Sequence, residues 1–379
     1  MSLFVALLVL SFLVFFHELG HFIVARLFGV RVEVFSIGFG KKLLTFHTKH
    51  TQYALSLIPL GGYVKLKGQD DSNPKLEQTS ALEADSYLAK SPCKRIAILL
   101  AGAGFNFLLA FILYVIVGIN GIPSLAPIVG DVRENTPAFT AGLQPNDRIV
   151  GINGTHIRTW EELDSIITES SGSLNVEIMR KSNEQGQIAG SGAKIIEKQS
   201  HASNELAQER IQLTLTPIVQ DSKNIFGEPI KRRMIGIVSA NALEKVHYYG
   251  LDSLYYGWHE TLKASVLIIQ GIGKLISGVV PSSQVGGVIS IVSVIDVASR
   301  DNLSRFLYLV ALISVNLGVL NLLPIPALDG GHILFNAYEM LRGKKPNEQV
   351  AYYLTLCGWA VLLGLMMLGL YNDIFRLLA

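Results

Sequence analysis

Long apolar runs dominate the hydrophobic pattern of this chain. Four of them, at about residues 3–27, 96–119, 306–323 and 352–371, are nearly unbroken by charge. Each approaches the roughly 20 residues that carry a helix across about 30 Å of hydrocarbon. Between the first two, residues 30–36 alternate around Arg31 and Glu33, and Gly38 and Gly40 follow. Residues 53–58 and 63–66 flank Pro59-Leu60-Gly61-Gly62, which predicts short strands joined by glycine turns. Residues 69–90 are polar and predict a loop with one short helix. From about residue 125 to 240 the pattern becomes that of a soluble domain, with a helix expected over 160–168 and strands over 175–179 and 211–215. Residues 255–278 predict an amphipathic helix lying on the membrane surface, and 286–297 a further short buried element.

The fold class that follows is a polytopic α-helical membrane protein. It has about four transmembrane helices, a membrane-associated β-hairpin region and an inserted soluble α+β domain. The expected boundaries are 1–122 for the N-terminal membrane part, 123–242 for the soluble insertion and 243–379 for the C-terminal membrane part. A Gly-, Ser- and Gln-rich stretch at 182–208 predicts a flexible insertion within the soluble part.

Composition supports a bilayer as the solvent. Half of the 379 residues are apolar and 16% are charged, against roughly 25% in soluble domains. A net charge of +2 and a pI near 8.4 make no case for nucleic acid. Where the charges fall is more informative: eleven Lys and Arg separate the first two spans, and Arg342, Lys344 and Lys345 separate the last two. Basic loops stay on the cytoplasmic side, so both termini and the soluble insertion are expected on the exported side. The two cysteines, Cys93 and Cys357, build neither a disulfide framework nor a cysteine zinc cluster. The first run lacks the basic start and small-residue cleavage site of a signal peptide, and its removal would discard the chemistry it carries.

That chemistry is His17-Glu18-Leu19-Gly20-His21, an H-E-x-x-H pattern inside a transmembrane run. Ionisable groups at bilayer depth are costly and are functional by default. Histidines at i and i+4 share a helix face and can address one zinc ion through neutral imidazole nitrogens. Glu18 stands beside the first ligand without being one, placed to act as general base and then acid. A catalytic zinc needs a third protein ligand, and the best supply is the segment from Asn321 to His332. Pro324 and Pro326 break the third helix there, and a turn at Gly330-Gly331 is expected to present Asp329. His332 competes as ligand; Asp329 could instead be a solvated cap, and Asn321 a helix-to-helix hydrogen-bonding group. Asn106, in the second span, is a further polar contact expected to face the bundle.

The first-span H-E-x-G-H paired with the late N-x-x-P-x-P-x-L-D-G-G-H resembles the site-2 protease family of intramembrane zinc metalloproteases. The likeness is to the RseP-like bacterial branch, which carries a PDZ domain, and residues 136–154 resemble the turn and strand core of such a domain. The resemblance implies one Zn2+ held by His17, His21 and Asp329, Glu18 as catalytic acid and base, and Asn321 holding the substrate backbone. It also implies a membrane-dipping β element that pairs with unwound substrate, and a location in the bacterial inner membrane with the active site near the cytoplasmic side. The implied substrates are single-pass membrane proteins, such as an anti-sigma factor trimmed on its exported side or a remnant signal peptide. Two other classes compete. A non-catalytic PDZ receptor with a structural zinc would not need Glu18, and a metal transporter would be expected to show a repeated half.

Overall fold

The computed structural model describes residues 2–69, 83–181, 194–199 and 208–378. In chain order the elements are α1 (Ser2–Leu27), β1 (Val32–His47), β2 (Gln52–Leu66), α2 (Pro92–Asn120), β3 (Ile122–Leu125), β4 (Val129–Val132), α3 (Pro137–Ala141), β5 (Arg148–Ile152) and β6 (Thr155–His156). Then follow α4 (Trp160–Glu169), β7 (Leu174–Lys181), β8 (Lys194–Gln199), β9 (Gln208–Leu215), β10 (Ile218–Lys223), β11 (Pro229–Met234), β12 (Ile237–Ser239) and β13 (Leu243–Val246). The chain ends in α5 (Leu251–Ile276), α6 (Val288–Arg300), α7 (Leu303–Asn321), α8 (Asp329–Arg342) and α9 (Glu348–Leu378). They form two compact units, one of residues 1–119 with 249–379, the other of residues 120–248.

In the first unit α1, α2, α7 and α9 are long and apolar enough to cross a membrane. The last two expected spans differ in their limits, because helix stops where its backbone bonding is broken and not where hydrophobicity fades. Thus α9 runs on through polar flanks at both ends, while α7 stops at Asn321, ahead of Pro324. Ala6, Val9 and Leu13 of α1 pack with Ala110 and Tyr114 of α2, Ile295 of α6 and Val310, Ala311 and Val315 of α7. Small residues bring these helices close: a Cβ on Gly257 of α5 would lie 3.0 Å from the Phe111 carbonyl oxygen of α2. Helix α5 is further tied to α7 by Tyr308, whose hydroxyl donates to Glu260 Oε2 at 2.9 Å. Asp373 of α9 accepts from the backbone N–H groups of Gly287 and Ser290, both at 3.0 Å, and so caps the start of α6.

Strands β1 and β2 are long and irregular rather than the short strands expected at 30–36, 53–58 and 63–66, and each folds back on itself. Residues 34–37 pair with 62–65 in opposed register on one side, and with 52–55 in rising register on the other. Residues 42–47 add outside 52–56, so 42–47 and 62–66 are the two edges. Gly38, at φ +88, makes the close bend, since a Cβ there would stand 2.7 Å from the Ile58 carbonyl oxygen. Of the expected loop at 69–90, residues 70–82 lie outside the described residues.

The second unit is built on a five-stranded sheet in the order β6-β5-β7-β9-β8. Its core joins Ile149 and Ile152 of β5, Val176 and Ile178 of β7, Ile211 and Leu213 of β9, and Leu163 and Ile167 of α4. Helix α4 begins at Thr159, whose hydroxyl oxygen accepts from the Glu162 N–H at 3.1 Å, while the Glu162 carboxylate accepts from the Arg158 N–H at 2.8 Å. Strand β3 pairs with β13, so the two ends of the unit lie side by side. Of the insertion expected at 182–208, residues 182–193 and 200–207 lie outside the described residues, and 194–199 form β8 on the sheet edge.

Candidate metal centre

Three side chains converge inside the first unit. His17 and His21, one turn apart on α1, are 7% and 8% exposed. Asp329 comes from the first turn of α8. His17 Nε2 lies 3.2 Å from His21 Nε2, and Asp329 Oδ2 lies 3.2 Å and 3.3 Å from the two. The three atoms form a nearly equilateral triangle. A tetrahedral zinc with bonds of about 2.0–2.1 Å sets its ligand atoms about 3.3–3.4 Å apart, so the triangle has the size of one tetrahedral face. Asp329 Oδ2 is buried and has no hydrogen-bond partner among the described residues, as suits an oxygen whose partner is a cation. The donor set of two imidazoles and one carboxylate fits zinc and leaves a fourth position for the reaction.

The imidazoles are held from behind by α2. His21 donates through Nδ1 to the Ile98 carbonyl at 2.9 Å, which leaves the Nε2 lone pair facing the triangle. Gly102 packs against both rings: a Cβ there would fall 2.8 Å from His17 Cε1 and 2.6 Å from His21 Cε1. Gly20 meets the Ala101 carbonyl in the same way, its Cβ position 2.7 Å from Ala101 C. Ala101 to Gly104 is a run of small residues in the sequence, and the structure places Gly102 of that run against both histidines.

Asp329 reaches the centre by a route different from the one expected. Gly330 and Gly331 form no turn, since both lie in the first turn of α8. Their role is close approach, with Cβ positions 2.6 Å from the carbonyl carbons of Leu322 and Ile325. The proline-broken segment folds directly against the start of α8, and any side chain at either glycine would push it away. Helix α9 backs this segment through Gly358, whose Cβ position is 2.8 Å from Ala327 N. His332 is not part of the converging group and packs edge-on against Phe335. Asn321 is the last residue of α7, half-buried, and stands ahead of the break.

Glu18 follows His17 on α1, and the backbone N–H of Val64 in β2 lies near its carboxylate. A Cβ on Gly62 would be 3.4 Å from Glu18 Cγ. The 62–66 edge of the sheet therefore runs beside the carboxylate next to the metal-sized triangle. The constellation can hold a cation, keep a base within its reach and offer a strand edge to a peptide.

The comparisons with known proteins bear on the same chemistry. The model of Peptidase family M50 matches residues 5–365. A Campylobacter jejuni protein named "Putative zinc metalloprotease Cj1068" is 44% identical over 371 residues, covering 98% of this chain and 92% of its own. A Helicobacter pylori protein named in the same terms is 39% identical, with 99% of both chains aligned. The Haemophilus influenzae Regulator of sigma E protease is 29% identical over 98% of both. Near-complete alignment to such relatives, together with four membrane-length helices, makes this chain a membrane zinc metalloendopeptidase that belongs to Peptidase family M50.

Proposed function

We propose that the protein cleaves transmembrane segments of single-pass membrane proteins within the bilayer, using zinc held by His17, His21 and Asp329. The triangle of ligand atoms with 3.2–3.3 Å edges, on helices long enough to span, is the observation that carries this reading. Bound zinc supplies Lewis-acid polarisation of the scissile carbonyl and of water. Glu18 takes the proton of the attacking water and delivers it to the amide nitrogen as the C–N bond breaks. The edge at 62–66 offers backbone N–H and C=O groups to an unwound substrate strand, which has lost its own helical bonds. Asn321 assists by holding the substrate backbone near the metal.

The placement proposed is the bacterial inner membrane, multi-pass, with the basic loops and the site toward the cytoplasm and both termini and residues 120–248 exported. That unit is proposed to be a PDZ domain, a reading supported by its five-stranded sheet and by the short helix α3, capped by Thr136, that precedes β5. An anti-sigma factor already trimmed on its exported side is the proposed substrate class, with remnant signal peptides as the second. The name of the Haemophilus influenzae relative supports the first.

Purified protein with zinc, a panel of tagged, pre-trimmed single-pass substrates and the Glu18→Gln variant test the reading. The expected result is cleavage by the parent and its loss in the variant, about 10²–10⁴-fold, with zinc content equal in both. Zinc retained by both proteins with no cleavage of any substrate would instead support a non-catalytic receptor.

A further inference from the structure

Behind His17 lies a polar group that the mechanism leaves unused. Asn106 of α2 is fully buried, and its side-chain Nδ2 position is 3.2 Å from His17 Nδ1. Its Oδ1 position has no partner among the described residues. On its other side the Ser314 hydroxyl of α7 donates to the Asn106 backbone carbonyl at 2.8 Å.

The two ends of a carboxamide have nearly the same shape, so the neighbour decides which end faces it. An amide N–H aimed at Nδ1 would force the imidazole to accept there and to carry its proton on Nε2. That proton would point into the triangle with His21 and Asp329, where a cation needs a lone pair. Turning the amide over removes the conflict: Oδ1 accepts from Nδ1–H, and Nε2 is free to ligate. His21 already has this arrangement through the Ile98 carbonyl. Ile98 and Asn106 are eight residues apart on α2, close to two turns, so one face of that helix can offer an oxygen to each imidazole.

Resting on the metal-site reading above, we propose that Asn106 is a positioning residue whose side-chain oxygen fixes His17 in the tautomer and orientation that bind the metal. It touches neither substrate nor metal. A buried asparagine serving only as glue between helices would depend on Ser314 and be indifferent to zinc.

The test uses full-length protein in detergent, with zinc affinity measured by competition against a chromophoric chelator. Asn106→Leu removes the oxygen at similar volume and is expected to weaken zinc binding about 10–100-fold. Asn106→Asp keeps an oxygen facing Nδ1–H and is expected to bind zinc as tightly as the parent or tighter. Ser314→Ala, which touches only the backbone of Asn106, is expected to leave affinity unchanged. Should the Leu variant not fold, Asn106→Ala also removes the oxygen and takes its place. Zinc affinity in the Leu or Ala variant equal to the parent's, or an Asp variant as weak as they are, overturns the proposal. A parent that binds no zinc, or binds it equally well after His17→Ala, would overturn the metal-site reading itself.

Discussion

Arg95 at the start of α2 and Glu339 near the end of α8 form a buried ion pair, Nη2 to Oε1 at 2.7 Å. Arg95 is 5% exposed and also donates from Nε to the Lys90 carbonyl at 3.1 Å. The pair fixes α8, which carries Asp329 at its other end, to the helix that backs both histidines. Removing one partner of a buried pair leaves the other charge uncompensated, at a cost of about 3–5 kcal/mol. Arg95→Met is expected to lower stability by that order and to reduce zinc content, while Arg95→Met with Glu339→Met recovers most of the loss. Denaturant titration with parallel zinc analysis checks both; a single variant as stable as the parent would mean that the pair does not anchor α8.

Gly102 and Gly104 are two residues apart on α2 and should respond oppositely to the same substitution. A methyl at Gly102 has to displace both imidazoles, whereas nothing among the described residues lies within 4 Å of a Cβ at Gly104. Gly102→Ala is expected to destabilise by about 1–3 kcal/mol and to abolish zinc retention. Gly104→Ala is expected to be neutral or slightly stabilising, because alanine orders a helix at less entropic cost. Zinc analysis of the two purified variants distinguishes them directly.

Zinc that binds the folded state stabilises it by mass action, by about 2.7 kcal/mol at a free concentration one hundred times Kd. Chelation is therefore expected to lower the melting temperature and stop proteolysis, and added zinc to restore both. In Asp329→Ala the zinc-dependent part of the melting shift should largely vanish. A shift equal to the parent's would remove Asp329 from the ligand set.

In the second unit Arg148 grips Glu244 with both ends of its guanidinium, at 2.7 Å and 2.6 Å, joining β5 to β13. The hydrogen bonds from Arg148 hold the Glu244 carboxyl below its ordinary value of 4.5. A depressed carboxyl adds stability above its unfolded pKa and loses it as pH falls through the folded one. The stability difference between parent and Glu244→Gln should therefore be constant above about pH 4.5 and disappear below it. Half-exposed groups limit the effect to about 1 kcal/mol. A difference that grew on acidification would have the wrong sign.

Local sequence carried much of the centre. Apolar runs of bilayer length, a histidine pair one turn apart with Glu18 between, and a proline-broken segment ending in Asp329 are all properties of neighbours in the chain. Helical periodicity alone puts His17 and His21 on one face, and proline alone stops α7 near Asn321. The soluble strands and α4 were legible for the same reason, because the period of apolar positions is short-range.

What only tertiary structure decided lies between elements far apart in the chain. The sequence does not reveal that Gly102 packs on both imidazoles, that Ile98 offers its carbonyl to His21, or that Glu18 meets Val64. Gly330 and Gly331 looked like a turn because glycine permits turns, yet here it permits contact, a distinction set by what packs opposite. Residues 34–37 pair on both sides, with 52–55 and with 62–65, and no alternation within one strand encodes two partners. Composition and periodicity determine which segments are helices in lipid. The meeting of His17, His21 and Asp329 at 3.2–3.3 Å depends on how closely the helices approach, and that is fixed by small residues on one helix matching backbone on another.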